Sequence, residues 1–400
     1  MKEVKASRVL RIILVVFVLV TLLSSCSLFN NLFNKSRHER ITNNPGGSGW
    51  LDIVEDSKGV IHGVWMDRVD SVGRADDIFY SHKQLGGSWS NPVNITNTEY
   101  CSYLPRLAIN SKDELYAVYE EHRDSGPYVI STVVIKKMES NGNWQNGHDT
   151  LWDYLDFSES AGIAIDDEDN IHTTFLGQDF QSNALMYCKI GNNGQKDSIV
   201  HLIEGPMNYS PILVDRSGGL HVIGEKGFGM WDEIMDVYKP KGGLWQIPGV
   251  NISQSPYSNS WVVDNISMDN KGHIYTSWEE CNDNHVYFSE RDINGNWSTP
   301  EDMGDGGISW TVCDKEGCVY IAYCLALNPY VTDNTNGFVR KRNKEGKWSK
   351  PINISYDKTV RTTITCMKLL SNGKIGIGLS EGPVDYEDIL YIEISPDEFQ

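Results

Sequence analysis

Acidic side chains recur along this 400-residue chain at one fixed offset. Asp67, Glu120 with Glu121, Glu225, Glu279 with Glu280, and Glu381 each stand four or five residues beyond His62, Tyr116, His221, Tyr275 or Gly376. Recurrence at one place in successive units would gather these carboxylates into a ring, and three chemistries suit such a ring. They could accept hydrogen bonds from sugar hydroxyls, alongside the aromatic faces of Trp65, Tyr119, Trp231, Trp278 and Tyr386. Clustered carboxylate oxygens also suit Ca²⁺, although the chain has no contiguous Asp-rich calcium loop. Two carboxylates facing one another would serve as acid and base on a glycosidic bond. Repetition of a unit equally reproduces a harmless, solvated charge.

A second cluster combines Arg68, Asp70, Arg74, Asp76 and Asp77 with His122, Arg123 and Asp124, and Arg106 and Arg361 belong to the same region. Arginine offers a two-pronged fork to a sugar carboxylate, or pairs with the acids beside it. Imidazole moves protons near neutral pH, so His122, flanked by Glu121 and Arg123, is the best single candidate for proton transfer, with Arg106 as a further catalytic candidate. His62, His172 and His221 share one repeat position, but Tyr holds that position in three other units. Tyrosine replaces histidine as a packed, hydrogen-bonding strand residue and not as a divalent-metal ligand, so no metal site is expected there. The chain has no phosphate-binding glycine loop, nucleophile elbow or metalloprotease motif.

The elements that carry these residues follow from a longer pattern. Asp56/His62, Asn110/Tyr116, Asp166/His172, Asp215/His221, Asp269/Tyr275 and Asp314/Tyr320 are pairs six apart, with a degenerate seventh at Leu370/Gly376. Self-similarity at a period of roughly 50 residues marks a propeller or solenoid. Within a unit an apolar strand ends in a turn such as Asp56-Ser57-Lys58-Gly59, where the acid caps the turn and glycine tolerates positive φ. A second strand, a variable loop, an aromatic third strand (Ile78-Phe79-Tyr80-Ser81) and a Trp-Ser-x-Pro entry into a fourth strand follow. Proline suits that last strand because an edge position leaves its N–H unpaired. The outer Trp89, Trp144, Trp245, Trp297 and Trp348 read as blade-packing residues. Four antiparallel strands per unit predict an all-β, single seven-bladed β-propeller over residues 39–400, with units starting near 50, 102, 160, 209, 260, 307 and 361.

The last unit stops after its third strand, and Arg40-Ile41-Thr42-Asn43 repeats Asn94-Ile95-Thr96-Asn97. The N-terminal segment is therefore expected to complete the seventh blade and remove two open edges. In this strand order the loops after each second strand share one face with the crossings between blades, and the Asp-x-x-Gly turns lie on the other.

The first 25 residues differ in kind. Lys2, Lys5, Arg8 and Arg11 flank an apolar run from Ile12 to Leu23, followed by Leu23-Ser24-Ser25-Cys26, the order of an export signal too short to span a bilayer. It is similar to a bacterial lipoprotein signal, which implies lipidation of Cys26, a tether over 26–38 and an extracytoplasmic place in the cell envelope, with membrane contact through the lipid. Cleavage removes four of the 35 basic and one of the 54 acidic side chains, leaving 31 and 53, a net charge of −22. Such a surface excludes nucleic acid as an electrostatic partner. Seven cysteines remain besides Cys26, and Cys313 and Cys318 flank a tight turn where a cross-strand disulfide would fit.

Ser289, Asp292, Gly295 and Trp297 approach a Ser-x-Asp-x-Gly-x-x-Trp pattern with extra spacing, and Ser81, Gly86 and Trp89 keep its ends. From about residue 40 to 394 the chain resembles the sialidase-like propellers built of bacterial neuraminidase, or Asp-box, repeats. That resemblance implies a carbohydrate-related role and, as an alternative, a six-bladed sialidase-type ring, although no Phe-Arg-Ile-Pro motif is present. The expected function is a monomeric propeller that binds a glycan or other surface ligand. Asp67, Arg68, Glu120, Glu225, Glu279 and Glu381 with Trp65, Tyr119, Trp231 and Trp278 are the expected contacts. A sialidase-like hydrolase, a polysaccharide lyase and a platform docking a surface protein of the cell envelope are the alternatives.

Overall fold

The computed structural model describes residues 37–43 and 46–399, apart from 69–75, 126–127, 156–157, 179–182, 206–209, 228–231, 256–259, 262–264, 281, 327–334 and 384. Alternating apolar residues and turn residues produce seven antiparallel sheets. Blade 1 is Ser48–Glu55, Ile61–Arg68, Asp76–Lys83 and Val93–Asn94, and blade 2 is Cys101–Ile109, Leu115–Ser125, Tyr128–Met138 and Asp149–Leu155. Blades 3 to 6 follow with first strands at Ser158–Ile165, Ile212–Val214, Ser260–Trp261 with Ser267–Met268, and Gly307–Cys313. Blade 7 has Arg361–Leu369, Ile375–Gly382 and Asp388–Ile394, and its outer strand is Glu39–Arg40 from the other end of the chain. Glu39 pairs with Tyr391 and Arg40 with Leu390, while Ile41 N donates to Ile389 O at 2.8 Å, so the ring closes on seven blades and not six. Arg37 and His38, assigned by composition to the tether, are already seated: Arg37 pairs with Glu398 at 2.8 Å and His38 Nε2 lies 2.7 Å from Ile354 O.

The repeated turns form because one carboxylate satisfies two backbone donors. Asp56 Oδ1 accepts from Lys58 N at 2.9 Å and Val60 N at 2.8 Å, and Asp166, Asp215, Asp269 and Asp314 make the same pair of bonds. Leu370 has no such acceptor, which is why the seventh repeat looked degenerate. Blades 2 and 3 place Asp113 (φ 59°) and Asp169 (φ 61°) where other turns use glycine in the left-handed region. Those two aspartates accept from the backbone and hydroxyl of Ser57 and Ser111 in the preceding blade's turn, linking neighbouring blades. Glu55 does the same for Ser371 across the ring closure.

The outer tryptophans act between blades. Trp89 meets Tyr391, Trp144 meets Tyr80, Trp245 meets Tyr187 and Trp348 meets Phe288, edge to face at 4.9–5.5 Å. Trp297 instead donates its indole N–H to Asp236 at 2.9 Å. In each case the partner lies on the third strand of the previous blade. Edge-to-face pairs add about 0.5–1.5 kcal/mol beyond the area they bury.

Bulges in the first strands of blades 1, 2, 3, 6 and 7 re-aim side chains into the ring centre. There Arg106 of blade 2 reaches the ring of Trp310 of blade 6, with Cζ 5.8 Å from its centroid, and both are 2% exposed. Asn265 of blade 5 donates to Ser277 O and Ser309 O at 2.9 Å and accepts from Thr311 N at 2.7 Å. The channel is therefore filled by its own polar and aromatic side chains.

Cys313 and Cys318 are free thiols. Cys313 pairs across the ladder with Val319, so Cys318 is one residue out of register and faces the other side of the sheet. Cys313 packs among residues of blades 5 and 6, and Cys318 among residues of blades 6 and 7. The expected disulfide is thus absent. Cys26 and the signal segment lie outside the described residues.

Candidate functional site

The second strands deliver the recurring acids to one face, but most of them are turned into the scaffold. Asp67 (5% exposed) accepts from Trp65 Nε1 at 3.2 Å and Ser48 Oγ at 3.1 Å. Glu280 likewise accepts from Trp278 Nε1 at 2.8 Å, so an indole and the acid two residues on form a repeated internal pair. Glu381 accepts from Tyr356 N and Thr362 Oγ1, each at 2.9 Å, and Glu279 from Ile308 N at 3.2 Å. Both carboxylates thereby fasten a crossing into a first strand, and burial pushes the carboxyl of each upward. Glu225 is buried as well. Among the described residues no group of three or more His, Cys, Asp or Glu side chains is arranged to hold a metal ion.

The expected stacking faces are core residues. Trp65, Tyr119 and Trp278 are 0% exposed, and Trp65 and Trp278 stack on Phe79 and Tyr287 of their own blades. Trp231, Asp70 and Arg74 lie outside the described residues. Arg106 fills the channel, as described above, and does not reach the open face. Asp77 holds Asn94 and Thr96 of its own blade's last strand, at 2.7 and 2.6 Å. Asp67, Glu279, Glu280 and Glu381 thus hold the scaffold, because each meets a backbone or indole donor before it meets solvent.

What remains open is a cluster on blades 7, 1 and 2. Tyr103 and His122 meet edge to face, ring centroids 4.9 Å apart, on the first and second strands of blade 2. His122 Nε2 is 3.2 Å from Glu120 Oε2; the imidazole is 30% exposed and the carboxylate 1%. Burial raises the Tyr103 phenol well above its ordinary value, helped by Cys101 and Asp76 and opposed by Arg68, so it stays protonated. The Nε of Arg68 lies 3.5 Å from Asp76. Arg123 lies over the Tyr100 ring, Cζ 4.8 Å from the centroid, and donates to Glu121 at 3.0 Å, with His148 Nε2 3.8 Å from the same carboxylate oxygen. The other Glu121 oxygen is buried and has no hydrogen-bond partner.

Blade 7 adjoins this cluster through Gly47, whose carbonyl accepts from Arg68 N at 3.2 Å. A Cβ on Gly47 would sit 2.9 Å from Asp385 O, so glycine permits the approach that brings Tyr386, 65% exposed, to this edge. The arrangement combines tyrosine faces, an arginine fork and a His–Tyr contact, the elements that bind a sugar ring and move a proton. Tyr100, Tyr103 and His148 were not singled out by sequence reasoning. The signal available for the first two was their place at the end of the blade 1 to blade 2 crossing and the start of the strand it enters, which the strand order already assigned to this face.

No protein-family model matches the chain, and no curated protein matches it. Solved structures do. The chain is similar to an ulvan lyase of a new polysaccharide lyase family, bound to -[GlcA(1-4)Rha3S]- (TM-score 0.59, 11% identity, 89% of this chain and 95% of that one). It is similar to an α-L-arabinanase from Penicillium chrysogenum in complex with arabinobiose (0.55, 9% identity, 91% and 99%). It is also similar to the NanB sialidase of Streptococcus pneumoniae (0.51, 10% identity, 91% and 71%). At these identities the likeness establishes the fold: a propeller shared with glycoside hydrolases and a polysaccharide lyase.

Proposed function

We propose that this protein binds a carbohydrate on the face carrying the second-to-third strand loops, at the edge formed by blades 7, 1 and 2. The observation that carries the reading is the Tyr103–His122 contact beside Arg68, a partly open combination of aromatic, cation and imidazole. Aromatic faces take the apolar side of a pyranose, and Arg68 favours a sugar bearing a carboxylate. Lipidation at Cys26 and an extracytoplasmic place in the cell envelope belong to the same proposal, since a glycan-binding surface there meets polysaccharide directly. Among the structural neighbours, the ulvan lyase bound to -[GlcA(1-4)Rha3S]- and the arabinanase in complex with arabinobiose support the carbohydrate class.

A second reading, cleavage of the bound glycan, is favoured by one geometric fact. Glu120 orients the imidazole of His122, and a phenol that stays protonated lies against it, so His122 is placed to take a proton and Tyr103 to give one to a leaving oxygen. A glycan array probed with the full chain, with chromatographic product detection on each hit, separates the readings. Binding without product leaves the site a binding site; absence of binding to any glycan overturns the proposal in favour of protein docking. His122→Ala and Tyr103→Phe should each weaken binding about tenfold or more, the loss of one or two good polar or stacking contacts.

A further inference from the structure

Blade 2 departs from the repeat where its fourth strand begins. In blade 1 Ser90 N donates to His82 O at 2.8 Å and the ladder resumes at Val93 opposite Tyr80, so Asn91-Pro92 oppose Ser81 alone. Ser198-Ile199, Thr299-Pro300 and Lys350-Pro351 hold the same place in blades 3, 5 and 6. In blade 2 Gln145 N donates to Lys137 O at 2.9 Å, but the ladder resumes only at Asp149 opposite Ile135. Three residues, Asn146-Gly147-His148, therefore oppose Lys136 alone, and the segment loops out of the sheet.

That segment holds an Asn-Gly pair, in which the following amide reaches the asparagine side chain most easily because glycine has no Cβ to crowd the approach. The chain has six such pairs. In four of them, Asn141-Gly142, Asn193-Gly194, Asn294-Gly295 and Asn372-Gly373, the glycine N–H closes a tight turn onto a carbonyl three residues back, at 2.8–3.0 Å. Asn336 is buried, and Gly337 N donates to Ser355 Oγ at 2.9 Å. Asn146 and Gly147 are exposed, and among the described residues neither the Asn146 amide nor Gly147 N has a hydrogen-bond partner. A bonded amide must give up its bond before it can act as a nucleophile, and Gly147 has none to give up.

We infer that Asn146 is a site of spontaneous covalent modification, where the Gly147 amide closes on the Asn146 side chain and converts it to aspartate and isoaspartate. Gly147 N loses its proton to hydroxide and bonds Asn146 Cγ; the Cγ–Nδ2 bond breaks, and Nδ2 takes a proton from water and leaves as ammonia. Water then opens the cyclic imide at either carbonyl. One opening leaves aspartate, and the other routes the main chain through the side-chain carboxyl. The sum is one amide and one water giving a carboxylate and an ammonium ion, with no oxidation or reduction. Both products add a negative charge, and isoaspartate also adds a backbone carbon between Gln145 and Asp149. That stretch seats His148, whose ring meets Tyr119 in the seam of blades 1 and 2 with centroids 6.4 Å apart, and whose Nε2 lies 3.8 Å from Glu121. Isoaspartate at position 146 therefore loosens His148 from that seam.

The test is incubation of the native full chain in mildly alkaline buffer made with heavy-oxygen water, followed by peptide mapping with fragmentation that assigns each asparagine. Asn146 should convert several-fold faster than Asn141, Asn193, Asn294 and Asn372, each event adding one heavy oxygen. In urea the five rates should converge, because the turn bonds that protect four of them are gone. Conversion of Asn146 no faster than the turn asparagines in the native chain overturns the site, and a preference that persists undiminished in urea overturns protection by the turn bonds. The isoaspartyl fraction, separated chromatographically, should react with diethyl pyrocarbonate at His148 several-fold faster than the parent chain. Asn146→Asp, which carries the charge without the extra carbon, should keep the parent rate. Equal labelling of the isoaspartyl and parent chains, or the same increase in Asn146→Asp, overturns the loosening of His148 by the longer backbone.

Discussion

His172 Nε2 lies 3.1 Å from Asp166 Oδ2 while its Nδ1 lies 2.7 Å from the Tyr187 hydroxyl, so one imidazole joins the turn of blade 3 to its third strand. His62 makes the corresponding contacts with Asp56 and Tyr80 in blade 1, and Tyr275 and Tyr320 reach Asp269 and Asp314 with their hydroxyls. The six-residue interval that repeats along the chain is thus a hydrogen bond of the scaffold. His172→Ala leaves the buried Tyr187 hydroxyl without its partner, while Asp166 keeps its bonds from Asn170, and should destabilise by about 1–3 kcal/mol, read as a lower midpoint in urea.

Acid should act on these histidines in opposite directions. Burial lowers His62 and His172 below their ordinary value, with the neighbouring aspartates opposing. The unfolded chain therefore takes up protons first, and stability is lost as pH falls below about 6.5. His221 is buried too, but hydrogen bonds to Asp215 and Asp236 carry it upward, so its contribution is present below about pH 6.5 and lost as pH rises through the folded value. Stability measured from pH 8 to 5 should fall less steeply in His172→Ala and more steeply in His221→Ala; equal slopes in both variants and the parent would refute this assignment.

Removing residues 37–42 should lower the thermal midpoint by several degrees and promote association. The deletion takes away the Ile41 contact with the blade 7 core and the Thr42 bond to Ile389 N at 2.8 Å, and it bares an edge strand. Thermal unfolding with light scattering checks both parts. An unchanged midpoint with no scattering would show that blade 7 does not need its outer strand.

Arg106→Ala should cost about 1–3 kcal/mol by removing a buried guanidinium from Trp310 and opening the filled channel. Glycan affinity of the folded fraction should stay at the parent value. A selective loss of affinity without loss of stability would return Arg106 to the binding site.

Cys313 and Cys318 should each alkylate only on unfolding, since both are buried and burial raises both thiols, Cys313 to about 12. Mass spectrometry after iodoacetamide treatment under native and denaturing conditions reads this directly. Rapid native labelling, or a mass two units low without reductant, would contradict the structure.

The sequence by itself determined the architecture. Backbone geometry demands the same residue wherever the same turn recurs, so Asp56, Asp166, Asp215, Asp269 and Asp314 announce one hairpin repeated, and Ile41 announces the closing strand because it copies Ile95. Spacing along a strand also places residues on a face, which is why the loop face and its arginines were legible. Whether a side chain on that face opens to solvent depends on what the neighbouring blade brings to it, and no periodicity within one blade contains that information. Asp67, Glu280 and Glu381 share the register of a binding ring, yet the indoles of Trp65 and Trp278 two residues back claim the first two, and donors from neighbouring segments, Ser48 Oγ and Tyr356 N, claim Asp67 and Glu381. Trp89 and Trp144 pack on the previous blade and Arg106 crosses to Trp310 for the same reason. Tyr103 and His122 are diagonal neighbours, Tyr103 pairing with Glu120 and Cys101 with His122, in a register that the bulge between Tyr103 and Arg106 sets and only the assembled sheet decides.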